Sequence, residues 1–298
     1  MKERTNTIRI VGTLVENKLR EDVAKNGKSA GKTYISGEII IKCNLDGADE
    51  LFPVHLYAFD VKQDGTPNKL FASYKNIANL VNRRIVVTGY FSERRFYSAK
   101  TAKIAAEQRL NGRFVSEAPI AETADSATFS FSGYVASKLE SKTRKDETAP
   151  YLYEIYFGQE NNKATASSIF HFHVAPNRTD IINSINKLYT VGQTVKFAGD
   201  LRFVTQKIVK EEKAPAFGQP TAHAFTVTNK YYYITSGDAP ITGETAYTMD
   251  EMKHYHDIRV ENDIELQSAG KSAAAQSAAP AASDSDDEVT ENQVASLI

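Results

Sequence analysis

Hydrophobic and polar residues alternate along two stretches far apart in the chain, residues 8–16 and 129–137, as they do in strands with one buried face. The first reads Ile8-Arg9-Ile10-Val11-Gly12-Thr13-Leu14-Val15, the second Phe129-Ser130-Phe131-Ser132-Gly133-Tyr134-Val135. Second strands are predicted near 35–43 and 151–158, third strands near 52–59 and 168–175. In the third strands Val54, Leu56 and Ala58 alternate with His55 and Tyr57, while Phe170, Phe172 and Val174 alternate with His171 and His173. Successive strand side chains point to opposite faces, so the apolar sets are expected in a core and the ring-bearing polar sets outside it. Apolar residues then recur at helical spacing, Leu70, Phe71, Tyr74, Ile77 and Val81 in one half and Ile181, Ile182, Ile185, Leu188 and Tyr189 in the other. Fourth strands carrying Ile85 and Val87, or Val195 and Phe197, and fifth strands near 108–115 and 224–234 complete each set.

The two sets are copies. Gly12 and Gly133 stand 121 positions apart, as do Glu117-Ala118-Pro119-Ile120 and Asp238-Ala239-Pro240-Ile241. Between these anchors the offset is 116 at Glu38/Glu154 and His55/His171, and 110 at Thr88-Gly89/Ala198-Gly199. Offsets that change only between periodic segments are what loop insertions in a duplicated domain produce. Three strands, a helix and two strands is the element order of the OB-fold, a five-stranded Greek-key barrel. The expected fold is therefore mainly β, with two tandem OB-fold barrels at 5–120 and 126–241, each with one helix between strands 3 and 4. Gly12 and Gly133, inside the first strands, are expected at bends or bulges of a barrel corner.

Composition narrows the chemistry. The chain has 298 residues, 41% of them hydrophobic, with a single cysteine and no Trp. One thiol, Cys43, excludes an internal disulfide framework and a thiolate zinc site. No apolar segment follows the charged N-terminus and no apolar run is long enough for a membrane span, so neither a signal peptide nor a span is expected. The formal net charge of −1 conceals a gradient: +7 over residues 1–120, +1 over 121–241 and −9 over 242–298. A basic body with an acidic end suggests a polyanionic partner for the body.

The basic residues are interleaved with rings where OB-folds commonly bind oligonucleotides, on the strand 2–3 face and in the 1–2 and 4–5 loops. In the first half Arg84, Phe91, Arg94, Arg95, Phe96, Tyr97, Lys100 and Lys103 fall on the 4–5 hairpin, and Arg20, Lys28, Lys32 and Tyr34 on or beside the 1–2 loop. His55 and Tyr57 join them from the third strand. The second half offers Lys142, Arg144, Lys145 and Tyr151, then His171 and His173, then Lys207 and Lys210. Unpaired nucleic acid exposes both phosphates and base faces, so cations and flat side chains in one groove suit it. The alternative for each is ordinary: a solvated hairpin face for the arginines, packing for the rings. Alternation leaves only one of Phe96 and Tyr97 on an open face. His171-x-His173 lacks a matched Cys or carboxylate set, so no metal and no cofactor is expected. No phosphate-cradling, dinucleotide or nucleophile-elbow motif is present, and no enzyme activity is expected.

Thr248-Met249-Asp250-Glu251 has the pattern of a capping box and predicts a short helix within a linker at 242–266. Residues 267–298 begin Ala/Ser-rich and end in Asp284, Asp286, Asp287 and Glu288, with Leu297 and Ile298 at the tip. They are expected to be a disordered acidic tail that docks its apolar tip on a partner protein.

Tandem OB-like units with basic-aromatic hairpins and an acidic, apolar-tipped end resemble single-stranded DNA-binding proteins, of a phage or bacterial type with two OB-folds per chain. The bacterial tail usually ends Asp-Asp-Asp-Ile-Pro-Phe, whereas here Ser296-Leu297-Ile298 closes the chain, and Tyr and Phe stand in for the stacking Trp. The resemblance implies protection of single-stranded DNA in replication, recombination and repair, with partner proteins recruited through the tail. It also implies a cytoplasmic location in a bacterial cell or phage-infected host, and a homodimer, since bacterial relatives assemble four OB-folds. Two other readings stay open: an RNA-binding OB module, and a duplicated clamp-like scaffold of a replication complex.

Overall fold

A computed structural model of the chain describes residues 2–25, 27–139, 151–158, 166–211 and 222–277. The first half contains β1 (Asn6–Asn17), β2 (Arg20–Val23), β3 (Thr33–Leu45), β4 (Ala48–Phe59), α1 (Lys69–Lys75), β5 (Arg84–Ser98) and β6 (Lys103–Glu117). β1 pairs antiparallel with β3 and β5, β3 with β4, and β5 with β6. A parallel contact of β4 with β6, at Val54–Leu110 and His55–Asn111, closes the ring. The second half repeats it with β7 (Ser126–Leu139), β8 (Tyr151–Gly158), β9 (Ser167–Val174), α2 (Thr179–Leu188), β10 (Thr194–Glu211) and β11 (Ala222–Gly237). Its closing parallel contact is Tyr233–His173. Both rings are OB-fold barrels with the helix between the third and fourth barrel strands, as the spacing predicted. β2, which pairs along the start of β3, has no counterpart among the expected strands.

The alternation in the third strands sorts as expected. Val54, Leu56, Phe170, Phe172 and Val174 are fully buried and Ala58 nearly so. The aligned pair Gly89 and Gly199 marks the same irregularity in each half: the β5–β6 register shifts between Thr88 and Gly89, the β10–β11 register between Ala198 and Gly199. A Cβ at either glycine would collide with a backbone carbonyl of the opposite strand, of Asn111 or of Tyr233. The first strands are bulged elsewhere than expected. Their shifts fall after Leu14 and after Val135, two residues beyond Gly12 and Gly133. Gly12 is instead a place of close approach, where a Cβ would strike the Lys42 carbonyl and the Cys43 sulfur.

The barrels are not separate bodies on a string. β1 pairs antiparallel with β7, and one apolar core runs through both halves. Phe91 of β5 lies among Phe129, Phe131, Phe170, Phe172 and Tyr232 of the second half, with ring centroids 5.1–6.1 Å away. Phe203 of β10 reciprocates against Phe52, at 4.8 Å. Each long hairpin thus crosses onto the other barrel. Burying a phenylalanine side chain contributes roughly 1.5–3 kcal/mol, so these two rings alone make the halves mutually dependent.

α3 (Met249–Ser277) follows the second barrel. Its capping box forms: Thr248 Oγ1 accepts from the Glu251 backbone N–H, and a Glu251 carboxylate oxygen accepts from the Thr248 N–H. The helix does not stop near Leu266 but continues to Ser277, into the Ala/Ser-rich start of the segment expected to be a disordered tail. Alanine has the highest intrinsic helix propensity, and here the helix also has a surface to pack on. It lies across β5, β6, β8 and β9. No described helix is long and apolar enough to cross a membrane.

Candidate nucleic-acid interface

The strand register places three rings together on the outer face of the first barrel. Tyr34 of β3 stands opposite Phe59 of β4, Ser36 opposite Tyr57, and Glu38 opposite His55. Because His55, Tyr57 and Phe59 are two apart in a strand, they share that face. Ring centroids are 5.6 Å apart for Tyr34–Tyr57, 6.0 Å for Tyr34–Phe59 and 5.3 Å for Tyr57–Phe59. Tyr57 is 39% exposed, enough to offer a ring face. Burial pushes the pKa of both tyrosines up, Asp22 adding to the effect on Tyr34 and Tyr34 to that on Tyr57, so both stay neutral phenols.

Cations flank the rings at both ends. On one side a cavity of about 310 Å³ is lined by Tyr57, Ala58, Phe59, Val61, Lys62, Gln63 and Asn68 together with Ser29 and Lys32. On the other, Arg94 and Arg109 lie near enough to His55 to act on its charge. Burial lowers the His55 pKa first and Arg109 and Arg94 lower it further, against the pull of Glu38. Arg94 is exposed and its guanidinium lies 5.6 Å from the centre of the exposed Phe96 ring. Lys100 and Lys103 are exposed at the hairpin tip and Arg20 on β2.

Four expected site residues are not available on this surface. Arg95 and Tyr97 point the other way along β5, as alternation requires, and α3 covers them. The Arg95 side chain is 11% exposed, paired with Asp263, and donates to the Arg259 carbonyl at 3.1 Å. Burial, with Arg259 nearby, lowers its pKa to about 10, so it remains charged. Tyr97 packs against Gly270, where a Cβ would strike the tyrosine side chain. Arg84 is held at the connection between the barrels, pairing with Asp125 and donating to the Glu122 carbonyl at 2.8 Å. His173 is enclosed by Tyr231 and Tyr233, and its Nδ1 accepts from the Tyr232 N–H at 3.2 Å. Burial, assisted by His171, pushes its pKa down to about 4. Phe91, grouped with the hairpin rings in the sequence, is fully buried core.

The second half therefore does not repeat the first. Its residue in the place of Tyr57 is the enclosed His173, and in the place of Phe59 it has Ala175. α3 also closes the start of β9. Arg259 donates to the Ser167 carbonyl at 3.0 Å and binds Glu93 of β5 through two bonds of 2.5 and 2.7 Å, with side chains 9% and 3% exposed. Lys207 is exposed on β10, and His171 is partly exposed on β9. Lys142, Arg144, Lys145 and the tail residues Asp284, Asp286, Asp287, Glu288, Leu297 and Ile298 lie outside the described residues. So do the side chains of Lys28, Tyr151 and Lys210. Phe59, Lys62, Gln63, Asn68 and Arg109 line or adjoin this candidate surface and are not among the residues expected from the sequence. Phe59 was within reach, since it continues the outward row of His55 and Tyr57. Among the described residues no group of three or more His, Cys, Asp or Glu stands close enough to hold a metal ion.

The model of a family described as YorF matches residues 4–272 of this chain. Among solved structures, the chain is similar to the wild-type single-stranded DNA binding protein from Thermus aquaticus, with a TM-score of 0.48 and 8% sequence identity over 81% of this chain and 95% of that one. It is similar in the same degree to a deletion mutant of that protein, with a TM-score of 0.48 and 8% identity over 82% of this chain and 98% of that one. No curated protein matches the sequence.

Proposed function

The chain belongs to the YorF family, and we propose that it binds single-stranded DNA, largely without regard to sequence, on the outer face of its first barrel. The observation that carries this is the uncovered strip running from Lys32 and Lys62 through Tyr34, Phe59 and Tyr57 to Arg94 and Phe96. Rings on such a strip stack on bases of any identity, and the lysines and arginines neutralise phosphates. Duplex hides its base faces within the stack and has no use for the rings.

Strand protection of this kind serves replication, recombination or repair in the cytoplasm of a bacterial or phage-infected cell. The acidic residues Asp284 to Glu288 and the apolar Leu297 and Ile298 support a second role, recruitment of partner proteins. Removing 284–298 is expected to abolish such a contact while leaving strand affinity at low salt unchanged or higher.

The decisive measurement is the affinity of labelled oligo-dT, oligo-rU and duplex DNA across a salt series. Oligo-dT is expected to bind far above duplex, with affinity falling steeply as salt rises. Equal affinity for duplex overturns the proposal, and a clear preference for oligo-rU replaces DNA by RNA as the ligand.

A further inference from the structure

We infer that the cavity beside Tyr57 and Phe59 takes one nucleotide turned out of the bound strand and reads the edge of its base. This rests on the strand-binding role proposed above and refines it: tolerance of sequence along the strip, discrimination at one position.

The cavity differs in kind from the strip. It is an open depression of about 310 Å³, at the lower end of the range for small-molecule sites, whereas a stacking platform needs no depression at all. One wall is aromatic, from Tyr57 and Phe59. Gln63 and Asn68 add side-chain amides to the lining, and the cations Lys32 and Lys62 complete it. A base needs a flat apolar wall and a polar edge; its phosphate needs cations outside. The lining has all three.

The walls are also fixed in advance. Residues 60–67 form a tight turn in which the Lys62 N–H donates to the Thr66 carbonyl at 2.8 Å and the Gly65 N–H to the Lys62 carbonyl at 3.1 Å, with Val61 bridged to Pro67. Asp64 accepts from the Thr66 N–H and hydroxyl at 2.9 and 2.6 Å. The Asn68 Oδ1 accepts from the Leu70 N–H at 3.1 Å, which fixes the side chain and leaves its NH₂ as the group that faces a ligand. Gln63 contributes both a donor and an acceptor, the combination with which a side-chain amide distinguishes one base edge from another. The second half has His173 and Ala175 in place of Tyr57 and Phe59, so among the described residues it does not repeat the aromatic wall.

The test is competition among dA, dC, dG and dT homopolymers of equal length for the wild-type full chain and for Gln63→Ala and Lys62→Ala. Wild type is expected to rank the four over about tenfold, and Gln63→Ala to bring that ratio within about twofold. Lys62→Ala is expected to lower affinity for all four and keep the ranking, because a phosphate contact carries no base information. A flat ranking in wild type, or an unchanged ranking in Gln63→Ala, overturns the subsite and leaves strand binding intact. Absence of strand binding by wild type overturns both.

Discussion

Ile8 of β1 lies directly opposite Phe129 of β7, and Phe129 is the residue 121 positions on, the Ile8 of the second copy. The pairing is antiparallel about this point. Asn6 meets Phe131, and their counterparts Ala127 and Ile10 meet in turn. An approximate two-fold axis therefore passes between Ile8 and Phe129. The contact is isologous, the kind that two identical subunits make, but here it is made within one chain. Around this axis the duplicated parts have diverged where chemistry is concerned.

Replacing Tyr57 or Phe59 by Ala is expected to reduce single-strand affinity by roughly fivefold or more each, the worth of about 1–3 kcal/mol per stacked base. Both rings lie on the outer face and not in the common core, so folding is expected to survive. Fluorescence anisotropy with oligo-dT reads the first effect and thermal unfolding the second; full affinity in the double variant removes the strip from the site.

Arg259 and Glu93 form an ion pair with both side chains almost wholly buried. Glu93→Ala leaves a guanidinium enclosed without its partner, at a cost of about 3–5 kcal/mol, paid either in stability or in release of α3. Urea unfolding and limited proteolysis of α3 distinguish the two routes. Replacing both members by apolar residues of similar size is expected to recover most of the loss.

His173 ties stability to pH. Its folded pKa of about 4 lies below the ordinary 6.5 because burial penalises the charged ring. Between these values the unfolded chain holds a proton that the folded chain refuses, so stability falls as pH drops from about 6.5 to about 4 and levels off below. The full effect is up to about 3 kcal/mol. His173→Asn, whose oxygen can still accept from the Tyr232 N–H, is expected to flatten the melting temperature across this window; an unaltered slope assigns the dependence to other groups.

Gly89→Ala and Gly199→Ala are each expected to cost more than about 3 kcal/mol, because the added methyl group meets backbone that cannot yield without opening a hairpin. Gly65, with φ of +80° and nothing within 4 Å of an added Cβ, provides the contrast. Gly65→Ala is expected to cost only about 1 kcal/mol, the conformational term alone. Chemical denaturation of the three variants compares them directly.

Much of this architecture is legible in the sequence, for a local reason. A barrel interior is dry, so Val54, Leu56 and Ala58 have to alternate with His55 and Tyr57, and the same necessity acts on Phe170, Phe172 and Val174. The repeat then supplies strand order without any long-range information. Arg94 and Phe96 also separate from Arg95 and Tyr97 by alternation alone. Which pair faces solvent does not follow from β5, because it is settled by α3, 164 residues away at the Arg95–Arg259 contact. The Ala-rich composition of that helix reads equally well as linker until Tyr97 is seen resting on Gly270. The bulges likewise depend on the opposite strand. Gly89 and Gly199 look like any aligned pair until Asn111 and Tyr233 are set against them.

A perfectly duplicated body has neither front nor back, and a polymer with chemical polarity would meet the same relief whichever way it ran. α3 follows the second copy only, lies across strands of both, and has no counterpart after the first among the described residues. The molecule consequently has distinguishable ends, and copies arrayed along a 5′-to-3′ thread would present a capped side to one neighbour and a bare side to the other.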